Sequence, residues 1–369
     1  MDDVMSSYDT SFTYTDDNST SAPSSDHPLA LGATVTMLVL SCAGVVGNLC
    51  LMHAVLRYKH MRTVPNILIF NLAVADLLYV VITTPLYVEH EFSSSFSLSL
   101  ALCKFQHGVA FMAQYASAMA LAALSRERYT AIACGMEARQ RGGSDSSACA
   151  DSSKGAVACV WIGACLLAMP TFFFAHMPLE TLCTYAPAEA TTKRLYDCLR
   201  FLVGYVIPLT VVAYFYLKLA VTLVRSSQRL HNECVTEAMV YQTKVRKRLA
   251  LAVLIITAFF AVCWFPHFYY YLLVSFNDDP KIMGGPFPAA IDIYRYVGLL
   301  GPVINTCLDP WLLFVISSRH RACLLRCVSF RPGRQSTSPS SHSGVRMVTF
   351  RRPKYSAGAG TSISRLSRV

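Results

Sequence analysis

Asp76 is the residue best placed to do chemistry in this chain. It lies inside Asn66–Val88, a stretch that is otherwise uncharged and mostly apolar. A carboxylate at that depth of an apolar segment is costly, and such acids face a bundle interior and mark a working site. Other apolar stretches carry Asn48, Ser117, Asn305 and Asp309, polar groups that can converge on it. Two carboxylates brought together tend to share a proton. Covalent catalysis is not indicated. His107 and His267 have no nucleophile partner, and no Ser–His pair or twin aspartates occur at the spacing of an intramembrane protease. The chain therefore reads as a non-enzyme.

These groups must be positioned by membrane helices. The 369 residues are 54% hydrophobic and 15% charged, with mean hydropathy +0.40, whereas a soluble domain carries about 25% charged residues. Nearly uncharged runs occupy Leu29–Leu56, Val64–Val88, Phe105–Ser125, Gly155–Leu179, Phe201–Leu217, Leu249–Asn277 and Tyr296–Leu308, the last continuing to Ser318. Most reach the roughly 20 residues that cross a hydrocarbon core. The fifth does so if Lys218 snorkels and the run continues to Val224. The spacing predicts an all-α membrane protein, a seven-transmembrane helix bundle over residues 29–316. A short amphipathic eighth helix is expected over 317–328, where Ala322, Leu324, Leu325 and Val328 alternate with Arg319, Arg321 and Arg326. Residues 1–28 and 329–369 read as disordered tails.

Charge orients the bundle. Met1–Pro28 has six Asp and no Lys or Arg, while Arg319–Val369 has eleven Lys/Arg and no acid. Basic residues accumulate on the cytoplasmic side, so the N-terminus is expected outside and the C-terminus inside. Asn18-Ser19-Thr20 then lies outside, and Asn18 is the expected glycosylation site. No cleavable signal peptide is evident in the polar, acidic first 28 residues. The net charge of +10 serves topology and anionic lipid; no nucleic-acid partner is expected. Of fourteen cysteines, Cys103, which opens the third span on the outer side, and Cys183, in the outer loop after the fourth, are the best pair for a disulfide, with Cys198 spare. Cys323 and Cys327 suit palmitoylation. A channel or transporter is the second class considered, but no repeated half is visible, as transporters often have.

The motifs form an ordered set. Gly47-Asn48 lies in span one, Asn71-Leu72-Ala73-Val74-Ala75-Asp76-Leu77 in span two, and Glu127-Arg128-Tyr129 at the end of span three. Trp161 lies in span four, Pro208 and Tyr216 in span five, Phe260 and Cys263-Trp264-Phe265-Pro266 in span six, and Asn305 and Asp309-Pro310 in span seven. From about Gly32 to Val328 the chain resembles the rhodopsin-like G-protein-coupled receptors. Met61-Arg62-Thr63-Val64-Pro65-Asn66-Ile67-Leu68-Ile69, Ala123-Leu124-Ser125 and Leu313-Phe314 are similar to the bombesin and endothelin peptide-receptor branch. Asp309 departs from that branch, and Asp309-Pro310-Trp311 looks like the prostanoid receptors, which makes a lipid-activated receptor the runner-up.

The resemblance implies a receptor at the plasma membrane that binds an extracellular peptide, such as a neuropeptide, and activates a heterotrimeric G protein. Glu127, Arg128, Tyr129 and Tyr216 would form the coupling switch. Phe260 and Trp264, at i and i+4 beside Pro266, would repack on activation. The resemblance places a sodium ion beside Asp76 in the inactive state, with Asn48, Ser117, Asn305 and Asp309 around it; hard oxygens suit such a cation. The ligand cleft would draw on His107, Phe111, Gln114, Tyr115, His267, Tyr270, Tyr271, Asp292, Arg295 and Tyr296, under an outer lid formed by Met177–Arg200. Ala110 stands where amine receptors carry Asp, and Val303 where opsins carry the retinal Lys, so neither amine nor retinal is expected. Ala110 and Leu299 replace polar residues of the bombesin receptors, which argues against bombesin itself as ligand. Phosphorylation within Ser336–Ser343 and Thr361–Ser367 would recruit arrestin, and Ser367-Arg368-Val369 resembles a PDZ-domain ligand.

Overall fold

A computed structural model of the chain describes residues 28–92, 99–140, 153–179, 182–229, 237–277 and 288–328. In order these are α1 (Pro28–Arg57), a 3-10 turn (Lys59–Met61), α2 (Val64–Phe92), α3 (Leu100–Gln140) and α4 (Ser153–Phe174). An antiparallel hairpin follows, β1 (His176–Leu179) and β2 (Leu182–Thr184). Then α5 (Ala190–Phe201) runs through a π turn (Leu202–Val206) into α6 (Ile207–Arg229), succeeded by α7 (Glu237–Phe276), α8 (Pro288–Ile316) and α9 (Ser318–Val328). Seven segments are long and apolar enough to cross a membrane, with α5 and α6 together forming the fifth. This is the expected all-helical bundle with a short C-terminal helix.

Each span divides into an apolar outer face and a packed inner one. Leu31, Val39, Leu49 and Leu56 of α1 are exposed, while Met37, Leu51 and Ala54 are buried. Exposed leucine and valine suit hydrocarbon, where no hydrophobic force drives helices together and close packing of small residues must do so. Helix α3 shows this, burying Ala110, Ala113, Ala116, Ala118 and Ala120 along its length. Helix α8 comes close to the backbone of α7: a Cβ on Gly301 would lie 2.1 Å from the Cys263 carbonyl oxygen. Trp161 of α4 donates through Nε1 to Asn71 Oδ1 of α2 at 2.8 Å, which fixes the fourth span on the second.

Two expected boundaries are corrected. The fourth uncharged run reaches Leu179, but its helix ends at Phe174, and His176–Leu179 is a strand. A short apolar run does not distinguish helix from strand, and Pro178 cannot continue a helix ladder. The fifth span does not begin at Phe201 but eleven residues earlier, at Ala190. Its first turns carry Lys193, Arg194, Asp197 and Arg200, which lower the hydropathy without breaking the helix. Glu189 stands at its start; hydrogen bonds from Thr192 above all, and from Thr191, hold its carboxyl below the usual value. The expected lid therefore shrinks to the hairpin and the segment Tyr185–Glu189. The π turn lies just ahead of Pro208, which lacks the amide hydrogen that would close a regular turn; single π turns of this kind cluster at functional sites.

Candidate functional site

One end of the bundle is organised by a disulfide. Cys103 in the first turn of α3 bonds to Cys183 of β2, with Cα atoms 5.8 Å apart and a sequence separation of 80. It holds the hairpin against α3 and delivers Tyr185, two residues on, into the bundle. Tyr185 is buried. Its ring lies 5.3 Å from Phe111, 5.8 Å from His107 and 5.0 Å from Tyr271, centroid to centroid. Its hydroxyl donates to Asp197 Oδ1 at 2.9 Å. Burial above all, with Asp197 adding to it, holds this phenol well above its ordinary pKa, although the Arg200 charge opposes the shift.

Arg200 is the centre of this cluster. It is 3% exposed and donates through Nη1 to Asp197 Oδ1 at 3.0 Å; Asp197 is 2% exposed. The guanidinium carbon sits 3.8 Å from the Phe111 ring centroid and 4.5 Å from that of Tyr185, an arrangement that attracts a cation to the ring face. Ser275 of α7 donates to Asp197 Oδ2, and Tyr196 shares a hydrogen bond with Thr171 of α4. Asp197 thus ties together the loop, α5 and α7. Neither Arg200 nor Asp197 was singled out from sequence. The usable signal was an acid and a base at i and i+3 beside an apolar run.

The structure brings His107, Phe111, His267 and Tyr271 together here. His267 and Tyr271 are 4.9 Å apart, and Tyr270 stacks edge-on to Tyr271 at 5.4 Å. Gln114 and Tyr115 are buried beneath them. Arg295 donates to the hydroxyl of its neighbour Tyr296 at 2.9 Å. The side chain of Asp292 lies outside the described residues. His107 also lies near the Cys103 and Cys183 sulfurs, but those are bonded to each other and offer no thiolate to a metal.

Beneath the cleft runs a continuous chain of contacts. His267 packs edge-on against Trp264 at 5.3 Å, and Trp264 lies 5.8 Å from Phe260. Trp264 Nε1 donates to Asn305 Oδ1 at 3.0 Å, and Asn305 Nδ2 donates to Asp309 Oδ1 at 3.1 Å. Asp76 and Asp309 are buried and close enough for their charges to interact. Asn48 Nδ2 donates to the Gly44 and Thr306 carbonyls, both at 3.0 Å. Gly47 makes this approach possible, because a Cβ there would meet the Pro310 ring at 2.7 Å.

At the opposite end Arg128 is buried and Glu127 half-buried. Tyr216 donates to the Ala250 carbonyl at 2.6 Å, which closes α6 onto α7. Tyr129 and Tyr216 pack around Ile132, Leu219 and Ala250.

The family described as 7 transmembrane receptor (rhodopsin family) matches residues 47–313, well over half of the chain. The chain is a rhodopsin-family seven-transmembrane receptor. It is 28% identical to the [Phe13]-bombesin receptor of Bombina orientalis over 86% of this chain and 81% of that one. It is equally 28% identical to bombesin receptor subtype-3 of Ovis aries, covering 81% of this chain and 76% of the relative. The substance-K receptor of Canis lupus familiaris is 25% identical over 86% and 89% of the two chains. These findings place it among class A G-protein-coupled receptors, which are not enzymes.

Within this receptor the proposed sodium site passes a chemical test. Asp76 Oδ2, Asp309 Oδ2, Ser117 Oγ and Asn48 Oδ1 are all buried oxygens without a hydrogen-bond partner. Such groups are costly to leave unsatisfied, and a set of hard oxygens including carboxylates suits a hard cation. Cys323 packs against Ala54, Met61 and Tyr58, so acylation there requires α9 to shift. The side chain of Cys327, Asn18, the serine and threonine clusters of the tail and Ser367-Arg368-Val369 lie outside the described residues.

Proposed function

We propose that this receptor binds an extracellular peptide at the disulfide end and activates a heterotrimeric G protein at the α9 end, in the plasma membrane with its N-terminus outside. The observation that carries the reading is the unbroken chain from Tyr185 through Tyr271, His267 and Trp264 to Asn305 and Asp309. A ligand that moves the aromatic cleft must disturb a ring that is hydrogen-bonded to the polar core. A signal can pass this way if the ligand binds one packing of the chain better than the other. The peptide class is supported by the bombesin and substance-K receptors among the relatives and by a cleft of aromatics with few polar groups. The Tyr216 bond to Ala250 suits a resting state in which the coupling end is shut, with Glu127, Arg128 and Tyr129 beside it. Arrestin and a PDZ-domain protein are the further partners proposed for the tail.

A peptide library applied to cells expressing the full chain, read by second messengers, tests this directly. A hit should be lost in Arg128→Ala at matched surface level while binding persists. Responses confined to a lipid panel would replace the peptide reading, and ion flux without second messengers would remove the receptor mechanism.

Asp76, Asp309, Ser117 and Asn48 would hold the sodium ion, whose charge would balance the carboxylates. We expect purified receptor to melt higher in sodium chloride than in choline chloride of equal ionic strength. A ligand at ten times its dissociation constant stabilises by about 1.4 kcal/mol. Asp76→Asn should abolish the difference; a difference that persists in the variant places the ion elsewhere.

A further inference from the structure

The end of the bundle at α9 holds a cavity of about 400 Å³ lined by Thr63, Pro65, Asn66, Arg128, Ala131, Arg248, Leu249 and Ser317–His320. Its charged lining residues are three arginines and there is no Asp or Glu among them. Two helices start at this cavity. The first amide of α2 to find its backbone partner from the preceding loop is Ile67, bonded to Thr63, and in α9 it is Arg321, bonded to Ser317. The amides ahead of them, on Asn66 in α2 and on Ser318, Arg319 and His320 in α9, belong to the turns that a helix leaves without partners of its own. Helix N-termini of this kind attract anions.

A second observation points to a ligand independently. His320 lines the cavity; it is 1% exposed, its Nδ1 is bonded to Ser317 Oγ at 2.7 Å, and its buried Nε2 has no hydrogen-bond partner. Burial chiefly, then Arg128 and Arg319, lower its pKa to about 4, so the imidazole is neutral at physiological pH. With Ser317 donating to Nδ1, Nε2 carries a hydrogen and is one more donor without a partner, on a residue of the cavity wall. Among the described residues this is a site built from donors and cations, with no acid lining it to compensate. The exposed arginines Arg248 and Arg319 flank it, and guanidinium groups match phosphate oxygens in pairs.

We propose that this cavity is a binding site for a phosphate-bearing polyanion, held by Arg248, Arg319, His320 and the first turns of α2 and α9. The volume exceeds that of one phosphate and suits a headgroup with several. The same chemistry is offered by a phosphoinositide of the adjoining membrane leaflet and by a soluble inositol phosphate. The site stands on the cavity alone, whatever the ligand at the other end. Because Arg128 lines it, an occupant would compete with any partner that inserts there.

The test uses the full chain in nanodiscs. Inositol 1,4,5-trisphosphate is titrated into phosphatidylcholine discs, and separate discs carry phosphatidylinositol 4,5-bisphosphate; the readout is the melting temperature. A saturable rise is expected in one arm or both, and the responding arm identifies the source. The Arg248→Gln/Arg319→Gln pair, both at exposed positions, should weaken the apparent affinity at least tenfold. Arg57→Gln, an exposed control away from the cavity, should leave it within twofold. His320→Gln should weaken it as well. No rise in either arm, or a rise that the paired variant and the Arg57→Gln control alter equally, overturns the proposal.

Discussion

Replacing Asp197 with Ala should destabilise the receptor by about 3–5 kcal/mol, the cost of leaving a buried charge without its partner. Arg200 and Asp197 are both almost fully buried, and they form an ion pair at 3.0 Å. Asp197 also accepts from Tyr185 and Ser275, so its removal strands a cation and frees two hydroxyls at once. The expected result is a large fall in melting temperature of the purified full chain. The pair itself need not be a net gain, since taking two charges out of water costs as much as their attraction returns. Asp197→Leu/Arg200→Met should therefore recover more than half of the loss. If the single variant melts with the wild type, Arg200 has found another counter-charge and the cluster is not the organiser described above.

Cys183→Ser should also destabilise the receptor, by less than Asp197→Ala. Closing a loop whose ends are 80 positions apart is worth about 4.5 kcal/mol by chain entropy alone. Spans that stay inserted in the bilayer limit the freedom of the unfolded chain, so the lower part of the usual range of about 2–5 kcal/mol is expected. The functional effect should exceed the thermodynamic one, because the bond positions Tyr185 over Arg200. Cys103→Ser and Cys183→Ser should match each other, and the double variant should be no worse than either, as a single shared bond requires. Additive losses would mean that each sulfur packs for a separate reason. Binding of whichever peptide the library yields should fall in all three variants.

Much of this receptor could be read before its structure. Hydropathy located the spans because a helix needs about 20 apolar residues to cross a bilayer. Asp76, Asn305 and Asp309 announced a buried polar core because acids are rare at that depth. The Cys103–Cys183 pairing rested on an oxidising exterior and two suitably placed thiols. These are local or compositional properties, and they survive without coordinates. The start of α5 did not survive, because four charged side chains hid a helix whose Asp197 and Arg200 neutralise each other on its inner face. The strand His176–Leu179 was hidden for the opposite reason, being as apolar as the helix before it.

The chain itself therefore determined how many times it crosses the membrane, which groups are too polar to face lipid, and which motifs it shares with its family. The tertiary structure decided where those groups point. It turned Arg200 onto Phe111, carried Tyr185 into the cleft, sealed Cys323 against α1 and brought the first turns of α2 and α9 to one basic cavity. Such meetings join residues far apart in sequence, and their energy comes from burial and from charges held at a few ångströms, quantities that exist only once the helices are packed.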